Sequence, residues 1–236
     1  MLKKKYTKLD NRKANFVSHI FPHSTVSEQY RTIRTNIEFA MTDKKLTSLG
    51  ITSSIPGEGK TTTSINLGII FANTGKQVLL VDGDLRKKSL THLFNYGNKT
   101  GLSNLLAQPK LAISDSVKQT KIDNLYLIPS GGTSQKPSEL LGSKAMAQRL
   151  DEMIHQFDLV IIDLPPVVSV TDAQIVSAKV DGTILVVREG VSEKAKVMKA
   201  KHLLAMVNSY VIGAIYNDAS LETDNQDYAY LSMTDR

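Results

Sequence analysis

Ser53-Ser-Ile-Pro-Gly-Glu-Gly-Lys-Thr61 points to the class of fold. It follows an apolar segment carrying Leu49 and Ile51, and it opens an apolar-periodic one carrying Ile65, Leu67, Ile69 and Ile70. A glycine-rich turn between a strand and a helix, ending in Lys-Thr, is a phosphate-binding loop. Backbone N–H groups from Gly57 to Thr61 can converge on phosphate oxygens, helped by the positive end of the helix that follows. Lys60 is then expected to bridge the β and γ phosphates of a nucleotide, and the Thr61 hydroxyl to sit on Mg2+. Ser54 stands where such loops usually have their first glycine. Ser54, Gly57, Glu58, Gly59, Lys60, Thr61 and Thr62 thus form a candidate triphosphate site.

Working outward, strands and helices alternate. Short, almost wholly apolar runs predict strands at 47–52, 77–82, 124–129, 158–163, 181–187 and 210–216. Helical periodicity predicts helices at 60–73, 138–156 (with Gly142 as a break point), 172–178 and 193–208. Runs such as Val78-Leu79-Leu80-Val81 and Leu159-Val160-Ile161-Ile162 mark strands covered on both faces by helices. The expected architecture is α/β: a mostly parallel, doubly wound sheet in a single P-loop NTPase domain. Residues 83–123 predict only short helices, around 89–94 and 101–107. Upstream, Tyr30, Ile33, Ile37 and Met41 recur at helical spacing over 27–41, with Ser27 as the expected N-cap.

Two further predicted strands end in acids, at the edge where an open α/β sheet binds its ligand. One runs into Asp82-Gly-Asp84-Leu-Arg86, the other into Asp163-Leu-Pro-Pro166. A Mg2+–nucleotide complex needs hard oxygen ligands nearby, and Asp163 delivered beside the loop is a Walker B arrangement. Asp82, Asp84 and Arg86 carry more charge than one Mg2+ requires. One acid can serve the metal while the other accepts a proton from an attacking hydroxyl, and Arg86 can neutralise charge developing on the transferred group. Spacing alone leaves hydrolysis and transfer both open, and it leaves open which of Asp82 and Asp84 takes the proton.

The chain of 236 residues has no cysteine, which excludes disulfides and thiolate metal sites and suits a reducing cytosol. No apolar run approaches the roughly twenty residues of a membrane span, and no signal peptide opens the chain. Charge is uneven. Lys3, Lys4, Lys5, Lys8, Arg12 and Lys13 face only Asp10 at the start, whereas Asp218, Glu222, Asp224, Asp227 and Asp235 face only Arg236 at the end. The expected organisation is a basic arm (1–26), a nucleotide-binding domain (27–217) and an acidic tail (218–236). No aromatic platform or base-reading motif accompanies the arm, so nucleic acid is not an expected partner. The tail shows no apolar periodicity, and its Tyr228 and Tyr230 have nothing to bury them. Tyr210 and Tyr216, by contrast, fall in or at the end of a predicted strand and are expected to be packed.

Together, Ser54-Ile-Pro-Gly-Glu-Gly-Lys-Thr-Thr62, Val81-Asp-Gly-Asp-Leu-Arg86, Ile161-Ile-Asp-Leu-Pro-Pro166, Ile128-Pro-Ser-Gly131, Pro137-Ser-Glu-Leu-Leu141 and the tyrosine-bearing tail resemble the bacterial tyrosine kinases of capsule and exopolysaccharide gene clusters. The resemblance is to the Gram-positive form, a cytosolic chain separate from its membrane activator, and runs from about Ser27 to the C-terminus. It implies ATP and Mg2+ as cofactors and autophosphorylation of Tyr228 and Tyr230. It assigns phosphate and metal contacts to Lys60 and Thr61, makes Asp82 and Asp84 paired acids with Asp82 also a metal ligand, and has Arg86 close their motif. Asp163 becomes the Walker B acid, and Asn217 takes a place where related ATPases contact adenine. Glu28, Arg31 and Arg34 reproduce a Glu-x-x-Arg-x-x-Arg self-association pattern. At about 100° per residue they fall on one arc of roughly 120°, opposite Ile33 and Ile37. Implied partners are further copies in a ring, the cytosolic tail of a membrane-embedded, Wzz-like activator that recruits the chain to the inner membrane face, and a cognate tyrosine phosphatase. Relatives usually end in a denser tyrosine cluster than this one.

Two rivals share the fold. Septum-positioning and plasmid-partition ATPases carry an extra lysine early in the loop, at the position of Ile55 here. A non-catalytic, nucleotide-gated module of the export machinery would need neither the paired acids nor the tyrosines.

Overall fold

The structure, a computed structural model, describes residues 15–97 and 100–219. The basic run of residues 1–14 and the tail segment 220–236, with Tyr228 and Tyr230, lie outside the described residues. The chain opens with α1 (Val17–Ile20) and α2 (Thr25–Ala40), then β1 (Ser48–Ser53), α3 (Lys60–Ala72) and β2 (Val78–Asp82). Short helices α4 (Ser89–Leu93), α5 (Leu102–Ala107) and α6 (Ile113–Ser116) lead to β3 (Lys118–Gln119) and β4 (Leu125–Ile128). α7 (Pro137–Gly142), α8 (Lys144–Gln156), β5 (Leu159–Asp163), α9 (Asp172–Ser177), β6 (Gly182–Arg188), α10 (Lys194–Met206) and β7 (Val211–Asn217) follow within the described residues.

Among the described residues, seven strands order as β3-β4-β2-β5-β1-β6-β7, all parallel except β3, which runs antiparallel to β4. Side chains alternate between the two faces of each strand, so a continuous apolar run fills two cores at once. In β2, Val78 and Leu80 join one core while Leu79 and Val81 join the other; in β5, Leu159 and Ile161 separate from Val160 and Ile162 in the same way. β5 inserts between β1 and β2. That order sets Asp82 beside Asp163 in register, next to the end of β1 from which the phosphate loop leaves. The P-loop fold read from the sequence is the fold observed.

Several local expectations shift. The N-cap of α2 is Ser24, whose Oγ accepts the N–H of Ser27 at 3.3 Å. Ser27 is instead buried inside the first turn, where its hydroxyl donates to the Phe21 carbonyl at 2.7 Å. The arm expected over 1–26 is folded onto the domain from residue 15: Phe16 packs edge-on against Phe94, and the Ser18 N–H donates to Asn66 Oδ1. The break expected at Gly142 within 138–156 is present: α7 ends at Gly142, and Ser143 is extended before α8 begins. Tyr210 and Tyr216 are 45% and 59% exposed rather than packed, because β7 is an edge strand paired only with β6. α1, α6 and β3 have too few residues for a periodic signal, and none was expected.

At the opposite end of the sheet from the phosphate loop, Asp181 ties β1 to β6. Its Oδ2 accepts the N–H and hydroxyl of Thr47 (2.9 and 2.7 Å) and of Ser48 (2.8 and 3.0 Å). Partial burial alone would raise its pKa, but these bonds hold the carboxyl below its ordinary value. Asp181→Ala should therefore cost about 1–2 kcal/mol at pH 7, discounted for the partly exposed site. A lowered folded pKa adds stability above the unfolded value near 4 and loses it as pH falls through the folded one. Denaturant melts should accordingly show the gap between variant and wild type closing below about pH 4.

Candidate active site

The phosphate loop turns through two left-handed glycines, Gly57 (φ 89°) and Gly59 (φ 96°), the second being the N-cap of α3. Side chains would be strained at these angles, and Gly57 has open space around it, as a cradle for phosphate requires. Three carboxylates surround the Lys60 ammonium. Asp84 Oδ2 lies 3.4 Å from Nζ and Asp163 Oδ1 3.7 Å. Burial alone would lower the Lys60 pKa, yet Asp163, Asp84 and Asp82 together push it up. The Thr61 hydroxyl donates to Asp163 Oδ2 at 2.7 Å, and the Ser64 hydroxyl to Oδ1 at 3.2 Å.

The acids of the second motif differ in their partners. Asp84 Oδ1 accepts the Lys87 N–H at 2.9 Å while its other oxygen faces Lys60. Asp82 turns Oδ2 to Thr91, taking its N–H at 2.8 Å and its hydroxyl at 2.6 Å. Its Oδ1 is buried with no hydrogen-bond partner. Burial, followed by the neighbouring Asp163, pushes the Asp82 carboxyl up to about 7. Burial also raises Asp163, against the pull of Lys60.

These features fit a Mg2+–triphosphate complex. Long contacts between Lys60 and the acids can be exchanged for phosphate, the Thr61 hydroxyl and Asp163 are together, and a buried carboxylate oxygen awaits a donor or cation. Mg2+ keeps several waters and substrate oxygens among its ligands, so a dedicated protein cage is not required.

Comparison with known proteins agrees. A family model described as an AAA domain matches residues 47–208. The chain is 42% identical to the tyrosine-protein kinase YwqD of Bacillus subtilis (strain 168) over 221 residues, covering 94% of this chain and 92% of that one. It is 37% identical to the putative tyrosine-protein kinase CapB of Staphylococcus aureus, over 90% of this chain and 92% of the relative. The crystal structure of the chimerical protein CapA2B2 superposes with a TM-score of 0.83 at 38% identity, covering 87% of this chain and 90% of that one. The chain belongs to the bacterial tyrosine-protein kinases of capsule systems.

Within this kinase, several residues read from the sequence as contacts bond other groups of the protein. The Glu58 carboxylate is fully buried and turned into the protein, accepting from Ser54 Oγ and the Ile55 N–H at 2.8 Å each and from Ser192 Oγ. Asn217 donates from Nδ2 to the Glu58 carbonyl at 3.0 Å, so its amide braces the loop. The Thr62 hydroxyl bonds Asn15 Oδ1. Arg86 is held by Asp172, with Nε and Nη2 donating at 3.0 and 3.2 Å, and its Nη2 also reaches Ser138 at 3.3 Å. Asp172 is buried at the start of α9, so Arg86 joins the acidic motif to that helix. On α2, Arg31 pairs with Glu28 and bonds the Pro22 carbonyl, and Arg34 Nε lies 3.6 Å from Glu38.

Thr91, Asp172, Arg188 and Ser192 escaped the sequence reading. Arg188 bonds the Gly57 carbonyl at 3.1 Å and Asp218 at 2.8–3.0 Å, clasping the loop to the root of the tail. None of these residues lies in a motif of its own. Only Asp172 coincides with a signal, the start of a predicted helix.

Proposed function

We propose that this chain transfers the γ-phosphoryl group of ATP to tyrosines of its own C-terminal tail, Tyr228 and Tyr230, and thereby regulates capsular or exopolysaccharide synthesis and export. The observation that carries this is the buried Asp82 carboxylate, beside Asp163 and a phosphate-loop lysine, with one oxygen left without a partner. A phenol has an ordinary pKa near 10 and needs a base as it attacks. A carboxylate pushed up to about 7 is suited to that work.

Mg2+, when bound, supplies positive charge to the β and γ phosphates. Thr61 and Asp163 are the residues to hold it, and Asp82, the further ligand the resemblance implies, takes the role of base instead. Lys60 binds the β and γ oxygens, and the N–H groups of the Gly57–Thr61 turn orient them. Asp84 keeps Lys60 aligned, since both its oxygens already have donors. Asp82 Oδ1 takes the phenolic proton as the tyrosine oxygen bonds to phosphorus and the bond to the departing ADP oxygen breaks. The tail begins at the site, because Asn217 and Asp218 are tied to the loop through Glu58 and Arg188. Self-association through Glu28, Arg31 and Arg34 would bring one copy's tail to the next copy's acids. A membrane-embedded activator would recruit the chain to the inner face of the membrane, and a cognate phosphatase would reverse the modification. None of the helices among the described residues is long and apolar enough to cross a membrane.

Incubating the pure protein with labelled ATP, alone and with an activator's cytosolic tail, tests the proposal. Tyr228→Phe with Tyr230→Phe should remove most self-labelling and leave ATP affinity unchanged. Wild-type labelling in that double variant, or phosphate release without labelled tyrosine in the parent, would overturn it.

A further inference from the structure

Thr91 is fully buried on α4, nine residues beyond the acid it contacts. Its hydroxyl has one proton to give, and the neighbouring bonds decide where that proton goes. The Ser130 N–H, just past the end of β4, can only donate, and it donates to Thr91 Oγ1 at 2.9 Å. The two acceptors within reach of that proton are Ser130 Oγ at 3.3 Å and Asp82 Oδ2 at 2.6 Å, and the shorter, charge-assisted bond to the carboxylate takes it; the Thr91 backbone N–H reaches the same oxygen at 2.8 Å. One oxygen of Asp82 thus holds two donors while the other, equally buried, holds none. A carboxylate free to rotate would share donors between its oxygens and exchange their places. This one is clamped from α4, and the clamp is braced by Ser130 from the segment after β4.

We propose that Thr91 is a positioning residue for phosphoryl transfer, locking the Asp82 carboxylate so that Oδ1 alone faces the reacting groups. The inference rests on the kinase reading of the site. Thr91 itself touches neither nucleotide nor acceptor. It acts by sparing Asp82 a rotation during the reaction, and misplacing a reacting group by about 1 Å can cost on the order of a hundredfold in rate.

The test compares Thr91→Val, which keeps the shape and loses the hydroxyl, with Thr91→Ser, which keeps the hydroxyl, in the full chain with activator present. Thr91→Val should lower kcat by roughly ten- to a hundredfold with KM for ATP and the Mg2+-dependent affinity for a fluorescent ADP analogue unchanged within about twofold. Thr91→Ser should restore kcat to within about threefold of wild type. If Thr91→Val fails to fold, Thr91→Cys, whose thiol is a weak donor of similar size, takes its place with an intermediate loss expected. Wild-type kcat in Thr91→Val, equal impairment in Thr91→Ser, or a parallel loss of nucleotide affinity would overturn the proposal. Should the parent release phosphate without labelling tyrosine, the kinase reading fails by itself, and the same kcat comparison on phosphate release still decides whether Thr91 positions Asp82.

Discussion

Lys60→Met should stop phosphoryl transfer, with kcat falling by at least ~10³-fold, because the group that neutralises the β and γ phosphates is gone. A loop lysine on the surface could be removed without touching the fold. Lys60 is different, being 8% exposed and the only cation among the described residues ion-paired with Asp84 and Asp163. Removing it leaves three carboxylates together in a buried space, and breaking such an arrangement costs up to about 3 kcal/mol at pH 8. The cost depends on pH. Asp82 is pushed up to about 7 and Asp163 is raised as well. An acid whose folded pKa exceeds its unfolded value of about 4 binds protons more tightly in the folded state, so stability falls as pH rises from 4 through 7. Without Lys60 that slope steepens. Thermal melts without nucleotide should show the variant well below wild type at pH 8 and much closer to it at pH 5–6. Equal melting at every pH would mean that the ammonium does not hold the acids together.

Asp163→Asn should be as inactive, at least ~10³-fold down in kcat, yet move stability the opposite way. The amide keeps the size of a fully buried side chain and can still accept the Thr61 hydroxyl through its oxygen. It removes one negative charge beside Asp82, to which Asp163 is the neighbour in register. Relief of that repulsion should raise the melting temperature at pH 8 and flatten the decline between pH 4 and 7, while Mg2+-dependent nucleotide binding is lost. An inactive but stabilised Asp163→Asn beside an inactive and destabilised Lys60→Met would separate chemistry from folding at the same site. If Asp163→Asn binds Mg2+–nucleotide like wild type, Asp163 is not the metal's acid.

Much of the site was legible because its signals are local. The loop from Ser54 to Thr61 needs glycines for left-handed turns at 57 and 59, and lysine and threonine at the start of a helix; those demands fall within one short segment. Strands β2 and β5 announced themselves because both faces are buried, so apolar residues run unbroken to the acids that end them. The edge strand β7 misled for the converse reason. A strand with one neighbour can be apolar in part and still leave Tyr210 and Tyr216 in water.

The fold class, the phosphate loop and the three acids can be read along the chain, since periodicity and turn chemistry act between residues close in sequence. The partners of those groups come from the folded arrangement. It turned Arg86 to Asp172, 86 positions away, and set Asn217 against Glu58 across 159 positions. It also distinguished Asp82 from Asp84, two residues that a pattern of x-Asp-x-Asp cannot tell apart. The physical reason is that a buried polar side chain must find a partner wherever the fold brings one, and the identity of that partner is set by strand order rather than by neighbours in sequence.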